Sequence, residues 1–292
     1  MKVAIYSRVI DPDQQADVQE LFTELTRNNI KAVIYFPFFE TIRSCFKHVD
    51  TVKVFHSSDD LDDTIDFLIS LGGDGTMLDT VTLVRNKNIP VLGINFGRLG
   101  FLASIGRKAL HSAVRALVNR TYSIDKRSLI HLDGDILMFN DMPYGLNEFA
   151  IHKTDTSPMI KIHTYLNGEF LNTYWADGVI VATPTGSTGY SLSCGGPIVF
   201  PESGSFVITP VAPHNLNVRP IVVPDSNIIS FEVEGRTEDF ICALDSRREI
   251  VSKNVQLAVK QEKFSVNLVR LNENSFLSTL RTKLTWGLDK RN

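Results

Sequence analysis

The chain has few cysteines, no surplus of basic charge and no long apolar run. Cys45, Cys194 and Cys242 are too far apart for a zinc pattern or a disulfide framework, so they read as small buried hydrophobes of a reducing cytosol. Lys and Arg number 30 against 33 Asp and Glu, a net charge of −3, which provides no general attraction for nucleic acid. No stretch approaches the roughly 20 apolar residues of a membrane span, and Met1–Tyr6 enters a strand without a leader, so neither export nor a membrane is expected and the cytoplasm is. Three motifs are also missing: Gly-x-x-x-x-Gly-Lys-Ser/Thr, Gly-x-Gly-x-x-Gly after a strand, and His-Glu-x-x-His. Their absence disfavours a Walker-type ATPase, an ordinary dinucleotide dehydrogenase and a zinc protease.

What remains is a chain of 292 residues, 43% hydrophobic, enough for one large domain or two ordinary ones. Its first part alternates strand and helix signals. Lys2–Tyr6 is a strand; Asp11-Pro12 opens a helix with Val18, Leu21, Phe22 and Leu25 at helical spacing. Strands follow at 31–36, 52–55, 67–71 and 89–94, and helices at 77–84 and 108–118. The charge run 59–63 reads as a solvated loop or a helix start. This is the pattern of a doubly wound α/β domain. From about Thr121 strands dominate. Asn167-Gly168 between 160–166 and 169–174 is a hairpin signal, and 228–233, 240–244 and 255–259 add short strands of a β-rich domain. Residues 275–286 form a short amphipathic helix with Phe276, Leu280 and Leu284 four apart.

Three stretches carry chemistry. Gly72-Gly73-Asp74-Gly75-Thr76 joins a buried strand to a helix, so its backbone N–H groups are free to face an anion. A carboxylate there is repelled by a phosphate ligand, so Asp74 reads as a general base, as a group holding Mg²⁺, or as a turn residue bonding its own backbone. A second polar loop, 95–102, follows the next strand and contains Asn95 and Phe101; ligands of open α/β sheets sit at such strand ends. The third is Asp177 to Gly196, where the strand 179–182 runs into Thr, Ser and Gly around Tyr190. It reads either as a groove for a ligand with sugar and amide edges or as a Ser/Thr-rich capping loop. Asn147-Glu148 is uninformative alone, although an Asn amide matches an adenine edge and a Glu accepts ribose hydroxyls.

Taken in order, the 72–76 loop, Gly93 to Leu102, Asn147-Glu148, Asp177 to Gly196, Pro213-His214-Asn215-Leu216 with Arg219-Pro220, and 281–286 resemble the ATP-dependent NAD kinase family over nearly the whole chain. The resemblance implies a Rossmann-like α/β N-terminal domain with an open parallel sheet, an all-β, sandwich-like C-terminal domain, and an active site between them. It divides the chain into 1–121, the phosphate-binding domain; 122–270, the NAD-binding domain; and 271–292, a tail helix returning to the first domain. Asp74 would be the general base, with Gly72, Gly73 and Gly75 cradling phosphate and Mg²⁺ carried by ATP. Asn147 would bind adenine and Glu148 ribose. Phe101 would contact adenine from the same 95–102 loop as Asn95. Asp177 would hold the nicotinamide side. Thr188, Gly189, Tyr190, Ser191, Leu192 and Ser193 would line the NAD groove, with Ala212 near the nicotinamide. NADP(H) would be the product, no metal would be held by protein side chains, and the chain would form a homodimer or homotetramer.

The chain departs from the commoner family pattern at Trp175, Gly189, Cys194, Asp79 and Asp245-Ser246. A lipid or sugar kinase using the same loop, and an NAD or NADP sensor without catalysis, are the competing readings. The polar groove argues against the first and Asp74 against the second.

Overall fold

The structure, a computed structural model, describes residues 1–8, 10–43, 53–97, 99–154, 158–271 and 275–285. Cys45, Val52, Arg98 and Trp286, which figure in the sequence reading, lie outside the described residues. The chain divides into two compact units. One comprises Met1–Lys126 together with the stretch from Val266 onward, and the other is Arg127–Ser265.

In the first unit the elements are β1 (Lys2–Tyr6), α1 (Gln15–Arg27), β2 (Lys31–Tyr35), α2 (Phe36–Ile42), β3 (Lys53–Phe55), β4 (Phe67–Leu71), α3 (Asp74–Val84), β5 (Val91–Asn95), β6 (Ile105–Gly106) and α4 (Leu110–Asn119). The sheet order is β5-β4-β1-β2-β3, and every pair is parallel. β4 and β5 are buried along their whole length, as parallel strands covered on both faces are. Their core includes Val3, Ile5, Leu21, Ile69, Leu92 and Val114. The Asp11 turn forms a capping box with Gln14 ahead of α1.

Two elements differ from the sequence reading. The second strand stops at Tyr35 because Pro37 has no N–H for the ladder. The chain turns into α2, which buries Phe38, Phe39 and Ile42 on one face. The helix after the Gly-rich loop begins at Asp74 rather than Met77, so Asp74, Gly75 and Thr76 form its first turn.

The second unit holds β7 (Tyr122–Gly134, which begins within the first), β8 (Tyr144–Gly145), β9 (Glu148–Lys153), β10 (Ile160–Leu166), β11 (Glu169–Ala176), β12 (Gly178–Ala182), α5 (Tyr190–Ser193), β13 (Ser205–Val211), β14 (Ile221–Pro224), β15 (Ile229–Glu234), β16 (Asp239–Leu244), β17 (Arg247–Ser252) and β18 (Leu257–Leu271). One antiparallel sheet runs β14-β13-β12-β9-β16-β17. Strands β11, β10, β15 and β18 form a second antiparallel set. Both contribute to one core, Phe149, Ile151 and Val181 from the first and Ile162, Phe231 and Val259 from the second. Asn167 and Gly168 take the positive φ values, 52° and 84°, that a tight hairpin between β10 and β11 requires. β18 extends twelve residues beyond the 255–259 signal, to Leu271; from Val266 it belongs to the first unit, where Leu268 pairs with Val91 of β5. α6 (Phe276–Leu284) follows, capped by Ser275 and burying Leu280.

Candidate functional site

The first group of site residues lies at the carboxyl ends of β4 and β5. Gly73 caps α3, and Asp74 is the first residue of the helix. The Asp74 carboxylate accepts three backbone N–H groups from the loop after β5. Phe101 donates to Oδ2 at 2.8 Å, and Leu102 and Ala103 both donate to Oδ1 at 3.0 Å. A Cβ on Gly100 would stand 1.8 Å from Oδ1, so glycine is what lets this loop close over the carboxylate. Oδ1 thus has both lone pairs engaged, while Oδ2 keeps one for a proton. Asn95 is buried, and its Oδ1 accepts from Gly97 N at 2.9 Å, shaping the same loop. Phe101 is half-buried beside it.

The second group is in the other unit, at the start of β9. The Asp245 carboxylate, in the turn between β16 and β17, accepts from the backbone N–H groups of Leu146 (2.7 Å), Asn147 (2.7 Å) and Glu148 (3.1 Å). Burial pushes the Asp245 carboxyl up, and those three N–H groups pull it back down. The Thr/Ser-rich segment packs against the other side of Asn147. A Cβ on Gly186 would stand 2.0 Å from the Asn147 carbonyl oxygen, and Thr183 N donates to that oxygen at 2.8 Å.

The hydroxyls of this segment are largely engaged within the fold. Thr183 donates to Leu146 O, Ser187 to Pro184 O, and Thr188 to Thr185 O. Ser191 pairs with Thr209. Arg127, buried, donates to Thr185 Oγ1 at 2.9 Å. Two buried acceptors are left over: Asn147 Oδ1 and Glu148 Oε2 have no hydrogen-bond partner among the described residues. Each such atom costs about 1–3 kcal/mol when nothing bonds it, so the pair favours a ligand that brings donors. Burial, with Asp245 adding repulsion, pushes the Glu148 carboxyl up to about 8.

Around this pair the structure gathers Gly189, where a Cβ would lie 3.2 Å from Glu148 Oε2, and exposed Tyr190, whose ring centroid is 5.6 Å from that of His152. Leu192 is half-buried and Ser193 exposed on α5. Asp177, just before β12, meets Lys153 Nζ at 3.4 Å. Ala212 is exposed after β13 with a φ of 44°. Trp175 stacks on His214, centroids 4.3 Å apart. Among the described residues no three His, Cys, Asp or Glu side chains gather as a metal site.

Sequence reasoning missed Asp245 and Arg127 as supports of the site. Asp245-Ser246 was legible as a turn between strands, but its carboxylate's partners lie about a hundred residues away in the chain. Arg127 carried no local signal.

Comparison with known proteins adds an independent line. A family model described as the ATP-NAD kinase N-terminal domain matches residues 13–122, and one described as the ATP-NAD kinase C-terminal domain matches 146–271. The chain is 48% identical over 293 residues to an NAD kinase of Cytophaga hutchinsonii and 46% identical over 294 residues to one of Flavobacterium psychrophilum, each alignment covering all of both chains. Among solved structures it resembles a yeast NADH kinase complexed with NADH, with a TM-score of 0.88, 23% identity, and 99% of this chain and 88% of that one covered. It also resembles an NAD kinase from Archaeoglobus fulgidus in complex with ATP, with a TM-score of 0.75, 23% identity, and 98% and 99% covered.

Proposed function

The chain belongs to the ATP-NAD kinase family, and from that premise we propose that it transfers the γ-phosphate of ATP to the 2′-hydroxyl of the adenosine ribose of NAD, giving NADP. The attacking hydroxyl must lose its proton as the O–P bond forms, and Asp74 takes it on Oδ2. The three N–H groups on this carboxylate fix its direction and leave one lone pair of Oδ2 for the proton. The new bond joins the ribose oxygen to the γ-phosphorus, the bond to the β-phosphate bridging oxygen breaks, and ADP leaves. The backbone N–H groups of Gly73 and Gly75 cradle the phosphates at the start of α3, whereas that of Gly72 is spent on Ile94 O at 2.9 Å. A divalent cation, Mg²⁺, arrives on ATP as part of the substrate and spreads charge over the transferring group.

In the second unit, Asn147 reads the adenine edge and Glu148 holds a ribose hydroxyl. Asp177 faces the nicotinamide half, and Thr188, Gly189, Tyr190 and Ser193 line the groove. The observation that carries this reading is the pair of buried, unpartnered acceptors on Asn147 and Glu148, because adenosine brings an amine and hydroxyls as donors. Exposed Ile221, Val222 and Ile250 on the edge strands β14 and β17 support a homodimer or homotetramer.

The test is an assay with Mg²⁺-ATP and NAD, NADP being detected by an NADP-specific dehydrogenase. The protein is expected to form NADP. Asp74→Asn is expected to abolish turnover and leave NAD binding within about tenfold, roughly 1.4 kcal/mol. Equal loss of binding and turnover in that variant would remove the general-base role.

A further inference from the structure

Asp79 is an anomaly for a phosphate-binding helix. It lies in the second turn of α3, and its negative charge opposes any phosphate at the preceding loop. The structure surrounds it with donors. Tyr6, the last residue of β1, donates its hydroxyl to Asp79 Oδ2 at 2.8 Å. Arg8 donates Nε and Nη2 to the two carboxylate oxygens in a bidentate fork. Between them Ser7, fully buried, donates Oγ to Leu71 O at 2.8 Å. That bond fastens the end of β1 to the end of β4, immediately before the Gly-rich loop.

The fork does not use Nη1. Among the described residues the guanidinium's partners are Asp79, through Nε and Nη2, and Tyr6, and Nη1 stands 3.7 Å from the place a Cβ would occupy on Gly75. The Arg8 side chain is 49% exposed while Asp79 is 20% exposed, so the carboxylate is covered and the cation is open to a ligand. Burial and the bond to Asp79 push the Tyr6 phenol well above its ordinary range, so it remains a neutral donor. The same carboxylate holds the Arg8 guanidinium firmly protonated.

We propose that Arg8 is a phosphate-binding residue for the phosphoryl donor, and that Asp79 and Tyr6 are positioning residues that aim it over Gly75. A polyphosphate chain at the loop would then meet backbone N–H groups at the start of α3 and the two N–H donors of Nη1. Both lie at the carboxyl ends of parallel strands, where such sheets bind ligands. The acidic residue at position 79 is there to orient a cation supplied from just beyond β1. Naming ATP as the donor rests on the NAD kinase reading; the affinity of the loop for a phosphate chain does not.

Two measurements on the full chain test this: steady-state kinetics with ATP and NAD varied separately, and calorimetric titration with inorganic tripolyphosphate. Arg8→Gln is expected to raise KM for ATP and to weaken tripolyphosphate binding by about tenfold, with KM for NAD changed less than about twofold. Arg8→Lys keeps the charge without the fork and is expected to recover part of that loss. Asp79→Asn is expected to raise KM for ATP by about three- to fivefold, and the Arg8→Gln/Asp79→Asn double variant to be no worse than Arg8→Gln, because Asp79 acts through Arg8. A lowered melting temperature in Arg8→Gln and Arg8→Lys, with tripolyphosphate binding and KM for ATP both as in the parent, would make the pair a mere strut and overturn the proposal. If the parent chain formed no NADP, the tripolyphosphate titration would still decide the role of Arg8, and only the assigned reaction would fall.

Discussion

Glu148 shows how one residue carries a cost in the free protein that a ligand can relieve. Its ordinary carboxyl value is 4.5, and burial lifts it to about 8. Between those values the folded chain holds a proton that the unfolded chain has released. Stability contributed by this group is therefore full below about pH 4.5, falls as pH rises through the window, and is level again above about pH 8. Glu148→Gln cannot ionise. Its ligand-free form is expected to melt higher than the parent at pH 8.5, by roughly 1–2 kcal/mol, with the gap closing at pH 5. On the proposed ribose contact, the same variant is expected to raise KM for NAD more than Phe96→Leu does, because an amide then replaces the carboxyl group that would hold the hydroxyl. Melting curves across pH, with KM measured in parallel, check both. An unchanged KM would remove the ribose contact.

At the level of elements, the turn from β16 to β17 holds the start of β9. Asp245 Oδ1 accepts from Asn147 and Glu148, and Oδ2 from Leu146. Asp245→Ala leaves three inward N–H groups without an acceptor and is expected to lower stability by roughly 2–4 kcal/mol in urea unfolding. Asp245→Asn retains the oxygen facing two of the three and turns an amide toward the third, so roughly 1–2 kcal/mol is expected. Both variants should raise KM for NAD, since the backbone that aims Asn147 and Glu148 is released. A stability loss with an unaltered KM would show that the turn supports β9 without serving the site. The elements themselves were mostly legible from periodicity. α2 was not, because Phe36 continues the apolar run of β2 and only Pro37 marks the break.

At the scale of the whole molecule, the first unit is built from two distant stretches of chain. Its sheet receives the end of β18 through Leu268, and its core receives Val269. Arg270 Nε meets Asp125 Oδ2 at 2.5 Å, with the Asp side chain 9% exposed. A chain ending at Ser265 loses all three. Its first unit is expected to melt at least about 10 °C lower, from roughly 3 kcal/mol or more of lost burial and pairing. The second unit has its own core of Phe149, Phe231 and Phe240 and is expected to keep its transition. Calorimetry of the two chains separates these outcomes; a uniform shift of all transitions would contradict this expectation. Among the described residues no helix is long and apolar enough to cross a membrane.

Local sequence determined the alternation of strand and helix up to residue 120, the Gly-rich turn after β4, the Asn167-Gly168 hairpin and the presence of an Asp among glycines. Each of these depends on spacing or on backbone freedom within a few residues. Only the tertiary structure decided what the side chains do. It tied Asp74 to the backbone of 101–103, put Asp245 beneath Asn147 and Glu148, and turned the hydroxyls of Thr183, Ser187 and Ser191 inward, leaving two acceptors bare. It also joined Asp79 to Arg8 across 71 positions of chain. Hydrogen bonding and burial depend on which segments the fold brings into contact, and that information is not present in the spacing of residues along any one of them.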